Sequence, residues 1–128
     1  MALGKQTGEF SGQFTTTIIG PGPGTTFAAQ ASAEGAVTGD QGKGSFVNTL
    51  YLEYEPGSKS GTYKDYGLVN LNDGSVIGFR GQGTWEDGGG GKFRYRGTGA
   101  ASNGTTYAIE AEWNLPAKTW TGKLYEWN

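Results

Sequence analysis

The sequence predicts an all-β fold: eight antiparallel strands joined as a meander and closed into a small up-and-down barrel. Turn signals rich in Gly, Asn, Asp and Pro recur at strand spacing along the 128 residues, and all four prolines (Pro21, Pro23, Pro56, Pro116) fall within them. Proline cannot donate to a strand ladder, so this placement is the one strands require. The segments between turns are rich in aromatic and β-branched residues, and no useful stretch carries the 3.6-residue apolar period of a helix.

Residues 1–8 read as an N-terminal tail and 9–128 as one barrel domain, the length leaving room for a single core. The turns are Gly20-Pro21-Gly22-Pro23-Gly24, Glu34 to Gly44, Pro56 to Gly61, Asn72-Asp73-Gly74, Asp87 to Gly91, Ser102-Asn103-Gly104 and Leu115-Pro116-Ala117-Lys118. They delimit strands near 9–19, 25–33, 45–55, 62–71, 75–86, 92–101, 105–114 and 119–127. Eight strands are the size at which a closed barrel is just filled by side chains or holds one small ligand, and closure removes exposed edges. A flat sandwich is the alternative arrangement.

The last three hairpins can be paired from their turns. A turn around residue 89 sets Glu86 opposite Lys92 and Thr84 opposite Arg94. One centred on Asn103 sets Arg94 opposite Glu112 and Arg96 opposite Glu110, and one at Pro116-Ala117 sets Glu110 opposite Lys123 and Trp113 opposite Trp120. Opposite charges then meet on one face, each pair contributing roughly 0.2–1 kcal/mol. That face is expected outside. The other carries Ile77, Phe79, Trp85, Phe93, Tyr95, Tyr107, Ile109, Trp113, Trp120 and Leu124, with glycines 81, 83, 97, 99 and 122 among them. Trp85, Phe93, Trp113 and Trp120 are expected as one row that plugs a barrel end or floors a cavity. The bare glycines either admit a bulky neighbour, such as Tyr107 over Gly99, or let the strands coil tightly.

Upstream, Phe46, Asn48, Leu50, Leu52 and Tyr54 share an inward face. The parity of 62–71 depends on the next turn. Two residues at Asp73-Gly74 would place Tyr66 and Leu68 inside, whereas three with a bulge at Gly74 would place Val69 and Leu71 there.

Composition narrows the chemistry. With no Cys and no His, a Ser–His triad, a thiol nucleophile and the usual zinc site are excluded. A net charge of −2 lacks the basic stripe of a nucleic-acid binder. No apolar run approaches a membrane helix, and MALGKQTGEF has no signal-peptide core, so the expectation is a cytoplasmic protein with neither membrane nor nucleic-acid partner. No metal site or cofactor is expected: Asp40, Asp65, Asp73 and Asp87 lack EF-hand spacing, and Gly88 to Gly91 reads as a hairpin loop without P-loop context. Glu53/Glu55 and Glu110/Glu112 lie about 7 Å apart along single faces. The residues expected to line a ligand are Tyr54, Tyr66, Phe79, Trp85, Tyr95, Tyr107 and Trp113, with Asn48 and Glu126 as further inward polar groups.

Gly88-Gly89-Gly90-Gly91-Lys92-Phe93-Arg94-Tyr95-Arg96-Gly97-Thr98-Gly99, preceded by Gly81-Gln82-Gly83-Thr84-Trp85, resembles a hairpin of the allene oxide cyclase-like barrels, the group that includes dirigent proteins. The match covers about a fifth of the chain, one residue short between Tyr95 and Arg96. It implies a small antiparallel barrel with a ligand-sized interior, often in a homo-oligomer, whose members guide cyclisation or coupling by shape. The cyclases' catalytic residues do not carry over, because Glu9 to Ile19 lacks a matching motif. Gly83-Thr84-Trp85 is also similar to an avidin motif, here mid-chain instead of on the first strand.

Three functions fit this reading: a binder of a small apolar or aromatic molecule, a cofactor-independent cyclase or isomerase, and a filled barrel acting through an oligomeric or partner surface. An inward carboxylate beside a cavity favours the enzyme, a dry aromatic cavity the binder, and a cavity-free interior the third.

Overall fold

The computed structural model describes residues 4–127. Eight strands follow one another: β1 (Gln6–Pro21), β2 (Phe27–Gly39), β3 (Gly42–Tyr54), β4 (Ser60–Leu71), β5 (Val76–Gly89), β6 (Lys92–Ala101), β7 (Thr106–Asn114) and β8 (Thr119–Glu126). Each pairs antiparallel with the next, and β8 closes on β1. The barrel expected from the turns is therefore the fold, in meander order.

Several strand boundaries differ from the turn-based reading, among them the start of β1 and the end of β2. β1 begins at Gln6, so residues 6–8 join the wall: Gly8 pairs with Gly39 on one side and Leu124 on the other. Residues 1–3 of the expected tail lie outside the described residues. β2 runs to Gly39, because Glu34 to Gly44 is strand except for its tip at Asp40-Gln41. Its glycines mark close strand approach. A side chain on Gly35 would run into the backbone of Ser11 and Gly12, and one on Gly44 into that of Asn70 and Leu71.

The C-terminal registers agree with the charge pairing in the last two hairpins, where Arg94 faces Glu112, Arg96 faces Glu110, Glu110 faces Lys123 and Trp113 faces Trp120. The first of the three is corrected by two residues. A bulge between Asp87 and Gly89 pairs Gly89 with Lys92, so Glu86 faces Arg94 and Thr84 faces Arg96. An even shift leaves the inner and outer faces unchanged. The ion pair formed is Arg94–Glu86 at 3.6 Å, on the outer wall.

The interior is organised by rings lying over glycines. The Tyr107 ring occupies the space above Gly99, Phe79 that above Gly67, Phe46 that above Gly12, Phe10 that above Gly122 and Trp85 that above Gly61. Each pair bridges neighbouring or next-neighbouring strands, so a missing side chain on one strand admits a large one from another. The rings then contact one another: Tyr54–Trp85 at 5.9 Å, Trp85–Phe93 at 5.8 Å, Phe93–Trp113 at 6.2 Å, Trp113–Phe14 at 4.4 Å and Phe14–Trp120 at 5.8 Å between centroids. This chain of rings plugs the barrel end bounded by the turns 22–26, 55–59, 90–91 and 115–118. Phe93, Trp113 and Trp120 form the expected row, while Trp85 sits one row away opposite Tyr95.

β1 and β2 extend past this plug. β8 pairs with β1 only from Gln6 to Gln13, leaving the far part of β1 bonded to β2 alone. Ile18 and Ile19 are consequently 59% and 67% exposed.

Gly99→Ala should lower stability by about 1–3 kcal/mol in denaturant melts, because its Cβ meets both the Tyr107 ring and the Arg80 carbonyl. Gly20→Ala has open space around it and should stay within about 0.5 kcal/mol of the parent. Equal effects of the two substitutions would refute the ring-over-glycine account.

Candidate functional site: a cavity at one end of the barrel

The end opposite the plug is open. It holds a cavity of about 320 Å³ to which all eight strands contribute, beneath the turns at 40–41 and 102–105. Trp120, Phe10 and Phe46 form its floor, where the ring chain ends, and Val37, Val69, Leu71, Ile77 and Leu124 make apolar walls. Two other concavities lie on the outer wall, one among Glu9, Arg94, Glu110 and Lys123, the other among Tyr66, Leu68 and Arg80. Both are open troughs and contain no buried carboxylate.

The seven residues expected to line a ligand divide three ways. Phe79 and Tyr107 face the cavity. Tyr54, Trp85, Tyr95 and Trp113 belong to the filled half, where they pack on other rings and are not cavity-lining. Tyr66 is the correction: it is 43% exposed on the outer wall, edge-on to Tyr51 at 5.7 Å and beneath the Arg80 guanidinium at 5.9 Å. The cause is the β4–β5 turn. Asn70 pairs with Val76, Leu71 N–H donates to the Ser75 carbonyl, and Gly74 has φ of 93°, so the loop is the three-residue form with the glycine bulge. One residue of parity turns Tyr66 and Leu68 out, and brings Tyr63, Asp65, Gly67, Val69 and Leu71 in.

That parity places Asp65 inside, in a role the sequence reading did not assign. Asp65 and Asn48 are each 5% exposed, both line the cavity, and Asn48 Nδ2 donates to Asp65 Oδ1 at 2.8 Å. Burial pushes the Asp65 carboxyl up to about 6, and hydrogen bonds from Asn48 and from the Tyr66 backbone N–H offset only part of that rise. Among the described residues no lysine or arginine forms an ion pair with it. Asn48 must turn its NH₂ toward the carboxylate, so its Oδ1 points away, and that buried oxygen has no hydrogen-bond partner among the described residues.

Two phenols sit near this pair. One row of the wall runs Asp65, Gly81, Gly99, Tyr107 across β4 to β7. Because the two middle residues lack side chains, the Tyr107 ring lies back over Gly99 with its hydroxyl near Gly81, the residue paired with Asp65. In the row below, the Tyr63 hydroxyl reaches over Gly97 in the same way. Burial, and secondarily the Asp65 charge, raise both phenols well above their ordinary range, so they remain neutral donors. The space above Gly97 and Gly99 is thus taken by Tyr63 and Tyr107, and the cavity begins beyond them. Glu126, expected to point inward, is exposed at the cavity mouth.

The arrangement is an apolar chamber with one buried carboxylate, a buried amide beside it and neutral phenols at its side, and with Asp40 and Glu126 at the mouth. Among the described residues no group of three acidic, His or Cys side chains is placed to hold a metal ion. No family model, curated protein or solved structure matches the chain.

Since the folded-state value of Asp65 lies above the ordinary 3.8, ionising it favours the unfolded chain. Its stabilising contribution is complete below about pH 4 and lost as pH rises through about 6, a change on the order of 3 kcal/mol. Asp65→Asn should therefore melt at a higher temperature than the parent at pH 8, with the difference shrinking toward pH 4. The same offset at both pH values would show that Asp65 is not buried as an ionisable group.

Proposed function

We propose that this barrel binds a small, predominantly apolar molecule in the open half of its interior. The observation that carries the reading is the unequal filling of the two ends: rings close one end, while the other keeps a cavity of about 320 Å³ with apolar walls. That volume falls within the range of small-molecule sites, and a few polar groups among apolar walls are their usual composition. An apolar cavity of such size takes up small aromatic molecules readily. Such a ligand would be held by Phe79 and Tyr107 together with Val69, Leu71 and Ile77, in place of the aromatics of the plug.

A second reading, a cofactor-independent isomerase, is favoured by one specific observation, the buried carboxylate at the cavity wall. A carboxylate with a value near 6 is poised to take a proton from carbon next to a carbonyl, while the neutral Tyr107 hydroxyl donates to the enolate oxygen. Returning the proton to another carbon completes an isomerisation without redox change. The outer trough beside Tyr66 and Leu68, apolar and exposed, is the surface that a homo-oligomer would use.

Indole, naphthalene and toluene titrated into the protein should bind, with naphthalene and toluene perturbing Trp120 fluorescence and indole followed by calorimetry. Val69→Trp, which fills the chamber, should abolish binding while leaving the β-sheet circular dichroism unchanged. If none of the three binds, the binding reading fails. For the second reading, the parent should accelerate deuterium exchange at the benzylic carbon of phenylacetone, and Asp65→Asn should lose that acceleration. Equal exchange rates in parent and variant would leave binding as the function.

A further inference from the structure

We propose that the ligand is an organic cation: an apolar body carrying a protonated amine, which seats against the carboxylate of Asp65 beside Asn48. The inference rests on the cavity-binding reading and adds the chemistry of the group that enters deepest.

The hydrogen-bonding capacity left over in the Asp65–Asn48 pair at the cavity wall is acceptor capacity only, the Asn48 share of it buried within the wall. The carboxylate spends one oxygen on Asn48 Nδ2, and the Asn48 Oδ1, in a residue 5% exposed, has no partner among the described residues. A carboxylate retains several acceptor positions, and an amide oxygen two. The other buried orphan polar atoms, the indole N–H groups of Trp85 and Trp113, lie in the plug and not at the cavity. The unmet polar capacity of this pair is therefore one-sided, acceptors in want of donors, with the neutral Tyr107 hydroxyl beside it as the donor the wall itself supplies.

A primary ammonium supplies three donors and one positive charge in a compact head. A neutral hydroxyl supplies one donor and leaves the carboxylate uncompensated. A metal ion would require more oxygen ligands than one carboxylate and one amide, and no suitable cluster exists among the described residues. The cost of burying the carboxylate is already incurred on folding, so a cation arriving there gains attraction to a charge that is held in place and poorly solvated. Behind the head, Val69, Ile77 and Phe79 provide the apolar surface for the body, and Trp120 lies beneath it.

Charged and titratable groups facing Asp65 come from two strands: Tyr63 on β4 itself and Tyr107 on β7, both neutral through the working pH range. From β3, the facing residues are Asn48 and Leu50, and from β5 Phe79 and Gly81, none of which titrates. The other carboxylates at the cavity, Asp40 and Glu126, are exposed at its mouth, and an aliphatic amine stays protonated until about pH 10. Amine binding is accordingly strong where Asp65 is ionised and weakens as pH falls through about 6.

The test is calorimetric titration of the full chain with three matched probes: 3-phenylpropylamine, 3-phenylpropanol and 3-phenylpropionate. At pH 8 the amine should bind about tenfold or more tighter than the alcohol, as a hydrogen bond to a charged partner implies, and the carboxylate weakest. At pH 5 the preference for the amine should shrink while alcohol affinity stays level. In Asp65→Asn the preference should vanish at both pH values, and the pH series on the parent gives the same comparison without any substitution. Equal amine and alcohol affinities in the parent at pH 8, or a preference that survives in Asp65→Asn, would overturn the cation assignment while the cavity-binding reading stands. Failure of all three probes to bind would overturn both.

Discussion

The structure depends on one packing constraint: an aromatic ring on one strand lies over a glycine on another. An eight-stranded barrel is narrow, and inward rings on every strand would collide. Removing side chains at Gly12, Gly61, Gly67, Gly99 and Gly122 gives Phe46, Trp85, Phe79, Tyr107 and Phe10 a place to lie flat along the wall. The 25 glycines thus do more than form turns. Several act as the complementary shape for rings, and others, such as Gly35 and Gly83, allow two backbones to approach where the wall bends.

The same constraint produces the asymmetry between the two barrel ends. Toward the 115–118 turn, Phe14, Trp85, Phe93, Trp113 and Trp120 meet ring on ring and leave no chamber. Toward the other end the inward positions are held by Val37, Val69, Leu71 and Ile77, which line the wall without reaching the axis. A cavity results from side chains of ordinary size around a barrel whose radius is set by strand number and tilt. The plug holds the fold together and supplies the floor of the cavity.

Asp65 stands against this background as a residue that costs stability where it sits. A buried carboxylate with one amide and one backbone N–H as donors is not the arrangement that packing alone selects. Natural chains accept such local cost at functional sites, where a charged group held away from water acts more strongly than it would on the surface. The glycines across from Asp65 bear on it as well, since Gly81 and Gly99 let the Tyr107 hydroxyl approach the carboxylate across the two intervening strands. The packing rule that fills the barrel also assembles its polar group.

Strand number, order and antiparallel closure were legible in the turns and prolines, because those signals are local: a Gly or Pro acts on its own backbone and that of its neighbour. The inward face of β5 to β8 was legible too, since charge pairing across short hairpins is a two-strand property, and even the two-residue slip at the Asp87–Gly89 bulge preserved it. The sequence also offered Tyr107 over Gly99 as one of two uses for a bare inner glycine, and that is the use the fold makes of it. Two things were decided only by the tertiary structure. The face of β4 turned on whether the Asn72-Asp73-Gly74 loop used two residues or three, and that single step sent Tyr66 outward and Asp65 inward. The division of the inner aromatics between plug and cavity depended on how eight strands stagger around a closed wall, which sets the height of each ring along the axis. No pair of neighbouring strands contains that information, because stagger accumulates around the whole circumference.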